Sequence, residues 1–260
     1  MKQTRIAIAA LTTEQQKKAQ ETAAILQLPF IVNTAEANLE KTYDFLLLFT
    51  PDFIGLQNLH HKKNIFHIDF LSGKMRHRSK LASLHSELLA KALGQKPKDH
   101  PVIIDATAGL GRDSFILAAL GFHLTMLEKS PIIHLLLQDG LERASHDEVA
   151  APIIHKLQLI PANAVDWLPS THPKPDIIYL DPMFPERKKS ALVKKEMLVL
   201  QDVLTEDLDS DQLLTTALTC ATRRVVVKRP RLAPNLANLQ PHFSIKGKSS
   251  RFDVYLISKK

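Results

Sequence analysis

Apolar residues fall in short blocks along the chain, and the spacing between the blocks changes near residue 100. In the first part, RIAIAAL predicts a strand, and TTEQQKKAQETAAILQL follows with helical periodicity, a Thr-led start and an early glutamate. PFIV, FLLLF, FIGLQNL and NIFHIDF then predict further strands, broken by Asn, Asp and Pro. Residues 1–70 therefore form a small α/β subdomain. LSGKMRHRSK, residues 71–80, is polar and basic and predicts a connector; a lead-in helix from Leu81 to Leu93, closed by Gly94, completes a linker over 71–98.

From residue 99 to 260 the pattern becomes regular. VIID is a short buried strand, RDSFILAAL a helix ended by Gly121, and HLTML a second strand. Ser130-Pro131 caps and opens the helix IIHLLLQDGLERA. KLQLI, DIIYL and RVVVK continue as apolar strands, and HFSIK with FDVYLIS closes the chain as an antiparallel hairpin. Strands alternating with helices imply an α/β, doubly wound and mostly parallel sheet, here seven-stranded with the hairpin at one edge.

Composition narrows the class only slightly. A single cysteine, Cys220, excludes an internal disulfide and fits a reducing, cytoplasmic setting. No stretch approaches the roughly 20 apolar residues that span a bilayer, so no membrane partner is expected. The 12 histidines lack metal-ligand spacing, and no metal is expected. The formal net charge of +7 is concentrated in KMRHRSK, RKKSALVKK, RRVVVKRPR and KGKSSR. The last three stand beside strand ends, where a polyanion can be tracked.

Three successive strand ends carry the candidate chemistry. Asp105-Ala-Thr-Ala-Gly109-Leu-Gly111-Arg112-Asp113 follows the first strand, and its small residues let backbone approach a ligand closely. A dinucleotide fingerprint would place a third glycine where Ser114 stands. A carboxylate ahead of the loop suits the cationic end of S-adenosylmethionine better than it suits a pyrophosphate. Glu128 ends the second strand, where it can accept from ribose hydroxyls, with Lys129 beside it. Asn163 follows the third strand and can bond an adenine edge. A nicotinamide cofactor also uses an acidic residue at the second strand end, so Glu128 alone does not choose between them.

The fourth strand runs into Asp181-Pro182-Met183-Phe184-Pro185. Two prolines stiffen the segment. Asp181 is then placed to accept the N–H of an exocyclic amine, orienting its lone pair toward a methyl donor. Phe184 can stack on a base, a contact worth about 1–3 kcal/mol. The pattern resembles the [Asp/Asn]-Pro-Pro-[Phe/Tyr] motif of amine methyltransferases and makes Asp181, Pro182 and Phe184 the candidate catalytic residues. Arg187, Lys188, Lys189, Lys194 and Lys195 flank this loop, while Lys228, Arg229 and Arg231 follow the fifth strand. Parallel topology puts both groups on one sheet edge, where phosphate contacts would position RNA without reading its sequence.

Taken together, DATAGLGRDSF, Glu128-Lys129, YLDPMFPERKKSALVKKEM and VVVKRP resemble the RsmJ family of bacterial small-subunit ribosomal RNA guanine-N2 methyltransferases over roughly residues 71–260. The resemblance implies a Rossmann-like class I methyltransferase fold, with S-adenosylmethionine as cofactor. It implies 16S ribosomal RNA, free or within the small ribosomal subunit, as partner, and a guanine near its 3′ end as target. Carried over position by position, the cofactor contacts fall on Arg112, Asp113, Glu128, Lys129, Asn163, Ala164 and Asp181.

Overall fold

The computed structural model describes residues 4–32, 38–60, 65–182 and 209–258. The candidate residues Phe184, Arg187, Lys188, Lys189, Lys194 and Lys195 lie outside the described residues.

Two compact units arise from the chain. The first takes residues up to Asp69 together with Leu135–Arg143. Its sheet comprises β1 (Ile6–Ala10), β2 (Phe30–Ile31), β3 (Phe45–Phe49), β4 (Ile54–Asn58) and β5 (Ile65–Phe66), in the order β2-β1-β3-β4-β5. β2 and β3 run parallel to β1, whereas β3-β4-β5 is an antiparallel meander. All five residues of β3 are buried, as a central strand covered on both faces requires. β1 is pinned at its start: the Arg5 N–H donates to Asp44 Oδ2 at 2.9 Å, and the Arg5 guanidinium engages the same carboxylate. The strands expected at PFIV and NIFHIDF are present but reduced to two residues each.

The second unit begins at Phe70. The basic stretch expected as a connector is a helix, Gly73–Leu81. Arg76 N–H donates to the Ser72 carbonyl at 3.0 Å to close its first turn, and Met75 is its buried contact. Two apolar residues in nine, Met75 and the exposed Leu81, leave too little periodicity to announce a helix. The expected lead-in helix starts later, at Leu88, and runs to Leu93. Ser83 and Ser86 explain the delay. Each hydroxyl accepts from the other's backbone N–H at 3.0 Å, closing a turn that competes with the helix.

The large sheet comprises β6 (Ile103–Asp105), β7 (Leu124–Glu128), β8 (Leu157–Pro161), β9 (Ile177–Leu180), β10 (Arg224–Pro230), β11 (Phe243–Lys246) and β12 (Ser250–Leu256). Its order is β11-β12-β10-β9-β6-β7-β8, with β6 to β10 parallel and β11-β12 antiparallel, as the periodicity implied. Period-two alternation divides the strands between two cores. Ile104, Ile178, Leu180, Val225 and Val227 pack with helix Ser210–Cys220 on one face. Ile103, Ile177, Tyr179 and Val226 pack on the other with helix Leu88–Leu93 and with Leu117 and Ala118 of helix Arg112–Ala119. The strand order reverses between β6 and β9, which opens a crevice at their carboxyl ends. Among the described residues no helix is long and apolar enough to cross a membrane.

Candidate functional site

The loop after β6 is fastened on both sides before any functional group is considered. Ala106 N–H donates to the Tyr179 carbonyl of β9, and Ala108 N–H to the Leu127 carbonyl of β7, each at 3.0 Å. Gly109 (φ +52°) and Gly111 (φ +66°) take the left-handed conformation, which costs glycine nothing and other residues about 1–2 kcal/mol. Gly111 precedes the first turn of helix Arg112–Ala119, so the turn delivers Asp113 to the crevice.

Asp105 does not meet the crevice as the sequence suggested. It is 2% exposed, accepting from Thr107 N–H at 3.1 Å and from the Ser114 hydroxyl at 2.5 Å. Strand geometry turns it beneath the loop, where these two donors hold it; it is a brace for the turn and cannot face a cationic ligand. Burial pushes its pKa up to about 7, and the charges of Asp113 and Asp181 add to the rise against the two hydrogen bonds. Unfolded, the group titrates near about 3.9. The folded chain therefore binds more protons between about pH 4 and pH 7, and this group's contribution to stability declines as pH rises through that window. We expect Asp105→Asn to flatten the decline and to raise the melting temperature at pH 8 relative to pH 5. Thermal melts of the variant that track wild type at both pH values would acquit Asp105.

The negative charge in the crevice comes from Asp113 and Asp181. Asp113 Oδ2 accepts from the Tyr179 hydroxyl at 2.9 Å and from Lys228 Nζ at 2.7 Å, while Oδ1 faces the Arg78 guanidinium at 3.4 Å. Burial alone would raise Asp113; Lys228, Arg78 and Tyr179 outweigh it and hold the carboxyl below its ordinary value. Asp181 stands just beyond β9. Its backbone N–H donates to Thr107 Oγ1 at 2.6 Å, and its Oδ2 accepts from Lys228 Nζ at 2.8 Å. Surrounding protein and the charge of Asp113 push Asp181 up, and Lys228 opposes them. Pro182, next to it, is buried.

Glu128, 7% exposed at the end of β7, accepts from Gly109 N–H at 2.9 Å and from Ser130 N–H at 2.8 Å. Lys129 beside it is exposed. Asn163 uses its side-chain oxygen to cap helix Ala164–Ser170, accepting from Val165 N–H at 3.1 Å. Ala164 is 4% exposed within the core, so only its backbone can meet a ligand.

Two of the three cations after the fifth strand differ from the sequence expectation. Lys228 bridges two carboxylates, with 28% of its side chain exposed. Arg229 is 4% exposed, and its guanidinium donates to the Pro234 carbonyl at 3.1 Å. Alternation along β10 sends it into the face occupied by Val225 and Val227, which leaves it no side for a phosphate. Arg231 is exposed. Sequence reasoning did not single out Tyr179, Thr107 or Arg78. Arg78 lay in the stretch expected as a connector, and Tyr179 looked like one more apolar strand residue.

This donor set suits a cation. A pyrophosphate at the start of helix Arg112–Ala119 would meet the Asp113 and Asp181 carboxylates, whereas a sulfonium and an ammonium are attracted by them. A second cleft, about 520 Å³, lies at the amino ends of β6, β7 and β8. Among the described residues, His100, His123, His155 and Lys156 line it and no carboxylate does, so its chemistry does not suit such a ligand.

The comparisons agree with this chemistry. A family model described as "Putative SAM-dependent methyltransferase" matches residues 31–257. A ribosomal RNA small subunit methyltransferase J from Thioalkalivibrio sulfidiphilus is 44% identical over 98% of this chain and 99% of its own length. One from Marinobacter nauticus is 50% identical over 73% of this chain and 69% of its own. Among solved structures, a SAM-dependent methyltransferase from Neisseria gonorrhoeae superposes with a TM-score of 0.74 at 34% identity, covering 96% of this chain and 95% of that one. The chain belongs to this family of S-adenosylmethionine-dependent methyltransferases, the one that holds the ribosomal RNA small subunit methyltransferases J.

Proposed function

We propose that the protein methylates the exocyclic N2 amine of a guanine in 16S ribosomal RNA, free or within the small ribosomal subunit, in the cytoplasm. The observation that carries this reading is Asp181, held at the switch point of the sheet between the loop after β6 and Lys228. The relatives' shared name supplies the RNA.

Bound S-adenosylmethionine supplies an electrophilic methyl group on a sulfonium. The backbone at Gly109 and Gly111, with Arg112 and Asp113, forms the floor that would hold its amino-acid end. Glu128 and Lys129 would take the ribose and border the adenine, and Asn163 with the Ala164 backbone would take the adenine edge. Asp181 accepts an N–H of the guanine amine, whose lone pair is otherwise delocalised into the ring, and keeps it directed at the methyl group. The surplus proton of the methylated amine leaves by way of the same carboxylate. Phe184 would stack on the base, which must be unpaired or extruded to enter. Arg187, Lys188, Lys189, Lys194, Lys195 and Arg231 would hold phosphates and set the register of the RNA.

The test is transfer from methyl-labelled donor to small-subunit ribosomal RNA, followed by nucleoside analysis. N2-methylguanine at one position is expected. Label on adenine, on DNA alone, or on no nucleic acid would overturn the assignment.

A further inference from the structure

Lys228 has an arrangement that a surface cation for phosphate would not need. It sits one step beyond the Val227–Leu180 pairing of β10 with β9, beside Asp181 on the neighbouring strand. Its ammonium donates to Asp113 Oδ2 and to Asp181 Oδ2 at 2.7 and 2.8 Å. Asp113 is fixed by the Tyr179 hydroxyl and the Arg78 guanidinium, so the ammonium hangs from a braced anchor. On the other side, Thr107 Oγ1 secures the Asp181 backbone. Among the described residues, the Asp181 side chain has Lys228 as its hydrogen-bond partner, and that bond uses Oδ2.

We propose that Lys228 is a positioning residue for methyl transfer: it grips Asp181 by Oδ2 and so leaves Oδ1 to accept the substrate amine. The inference rests on the role given to Asp181 above. Orientation of a reacting pair is worth much, since a displacement of about 1 Å can cost about 100-fold in rate. Lys228 has an electrostatic share as well. Asp181 feels the charges of Lys228 from β10 and Asp113 from helix Arg112–Ala119 directly, and those of Asp105 in β6 and of Arg229, on the other face of β10, at longer range; it also acts on the Tyr179 hydroxyl of β9, and Arg78 acts through Asp113. The surrounding protein and the neighbouring Asp113 charge favour the protonated form, which accepts an amine N–H less strongly than the carboxylate does. Lys228, adjoining both Asp113 and Asp181, opposes that tendency.

The experiment compares K228M, K228Q and K228R with wild type. Asp181 titration is read in the donor-free protein by NMR of carbon-13-labelled aspartate carboxyls, with D181N giving the assignment. S-adenosylhomocysteine affinity is read by calorimetry, and kcat and KM are measured across pH. The neutral variants should titrate Asp181 at a pH higher by about one unit or more, because a charge is lost beside it. They should lose about 10- to 100-fold in kcat, with the acid limb of the profile displaced in the same direction. S-adenosylhomocysteine affinity should remain or improve, and K228R should keep both the titration and most of kcat. An unchanged Asp181 titration, or a K228M kcat within about twofold of wild type, would overturn the proposal. Loss of folding in both neutral variants would assign Lys228 to the fold alone and overturn it too. Failure of the unaltered enzyme to methylate ribosomal RNA would instead count against the substrate assignment.

Discussion

Asp181→Ala is expected to lower methyl transfer by roughly 10²- to 10⁴-fold, the range typical for loss of a positioned proton acceptor. RNA association should stay near wild type, because phosphate contacts elsewhere dominate it. The fold should survive the change: Lys228 keeps Asp113 as a partner, and Asp181 already exposes 39% of its side chain. Asp181→Asn makes the comparison sharper. It retains an oxygen to accept the amine but loses the charge that draws Lys228 and favours the developing cation, so an intermediate loss is expected. Single-turnover transfer with saturating RNA, beside filter-binding of the same RNA, separates the two effects. Wild-type turnover in the alanine variant would remove Asp181 from the reaction.

The second large effect concerns stability. Arg251 and Asp253 of β12 are 7% and 0% exposed. Arg251 Nε donates to Asp253 Oδ1 at 2.8 Å, and the Ser244 hydroxyl donates to the same oxygen at 2.6 Å. The remaining guanidinium hydrogens reach the carbonyls of Pro230, Arg231 and Ala233 and the side-chain oxygen of Asn235. Arg251→Met would leave a buried carboxylate with one hydroxyl donor and three carbonyls short of one. Breaking a buried pair in this way costs about 3–5 kcal/mol. For a chain of this size that is a fall of roughly 10 °C in melting temperature. Arg251→Met combined with Asp253→Leu should recover a good part of it, since apolar replacement of both partners removes the stranded charge. A loss below about 1 kcal/mol for the single variant would show that water or relaxation satisfies these groups.

The same residues show where sequence reading reaches its limit. The parallel sheet was legible because VIID, DIIYL and RVVVK are continuous apolar runs, which strands covered on both faces must be. The strand-end placement of Asp113, Glu128, Asn163 and Asp181 followed from that. Alternation in RVVVKRP could have separated Lys228 from Arg229, since neighbours on a strand point to opposite faces. Counting both as surface cations ignored that rule, and the same applies to Arg251 in a run that looked merely basic. Asp105 was misread for a different reason. Its side chain is claimed by a hydroxyl nine residues later, and no local pattern reveals which of two carboxylates a turn will cover. The helix Gly73–Leu81 carries too few apolar positions to be seen, so Arg78 could not be placed against Asp113.

One contact joins the two halves of the reaction. Thr107 belongs to the turn that would cradle the donor, and it holds the backbone of Asp181, which would hold the acceptor. The two are thereby jaws of one caliper: a fluctuation that shifts the turn carries the carboxylate with it. The gap across which carbon must pass is then buffered against thermal drift, and damage to the glycine turn should register in the rate of transfer as much as in the grip on the nucleoside.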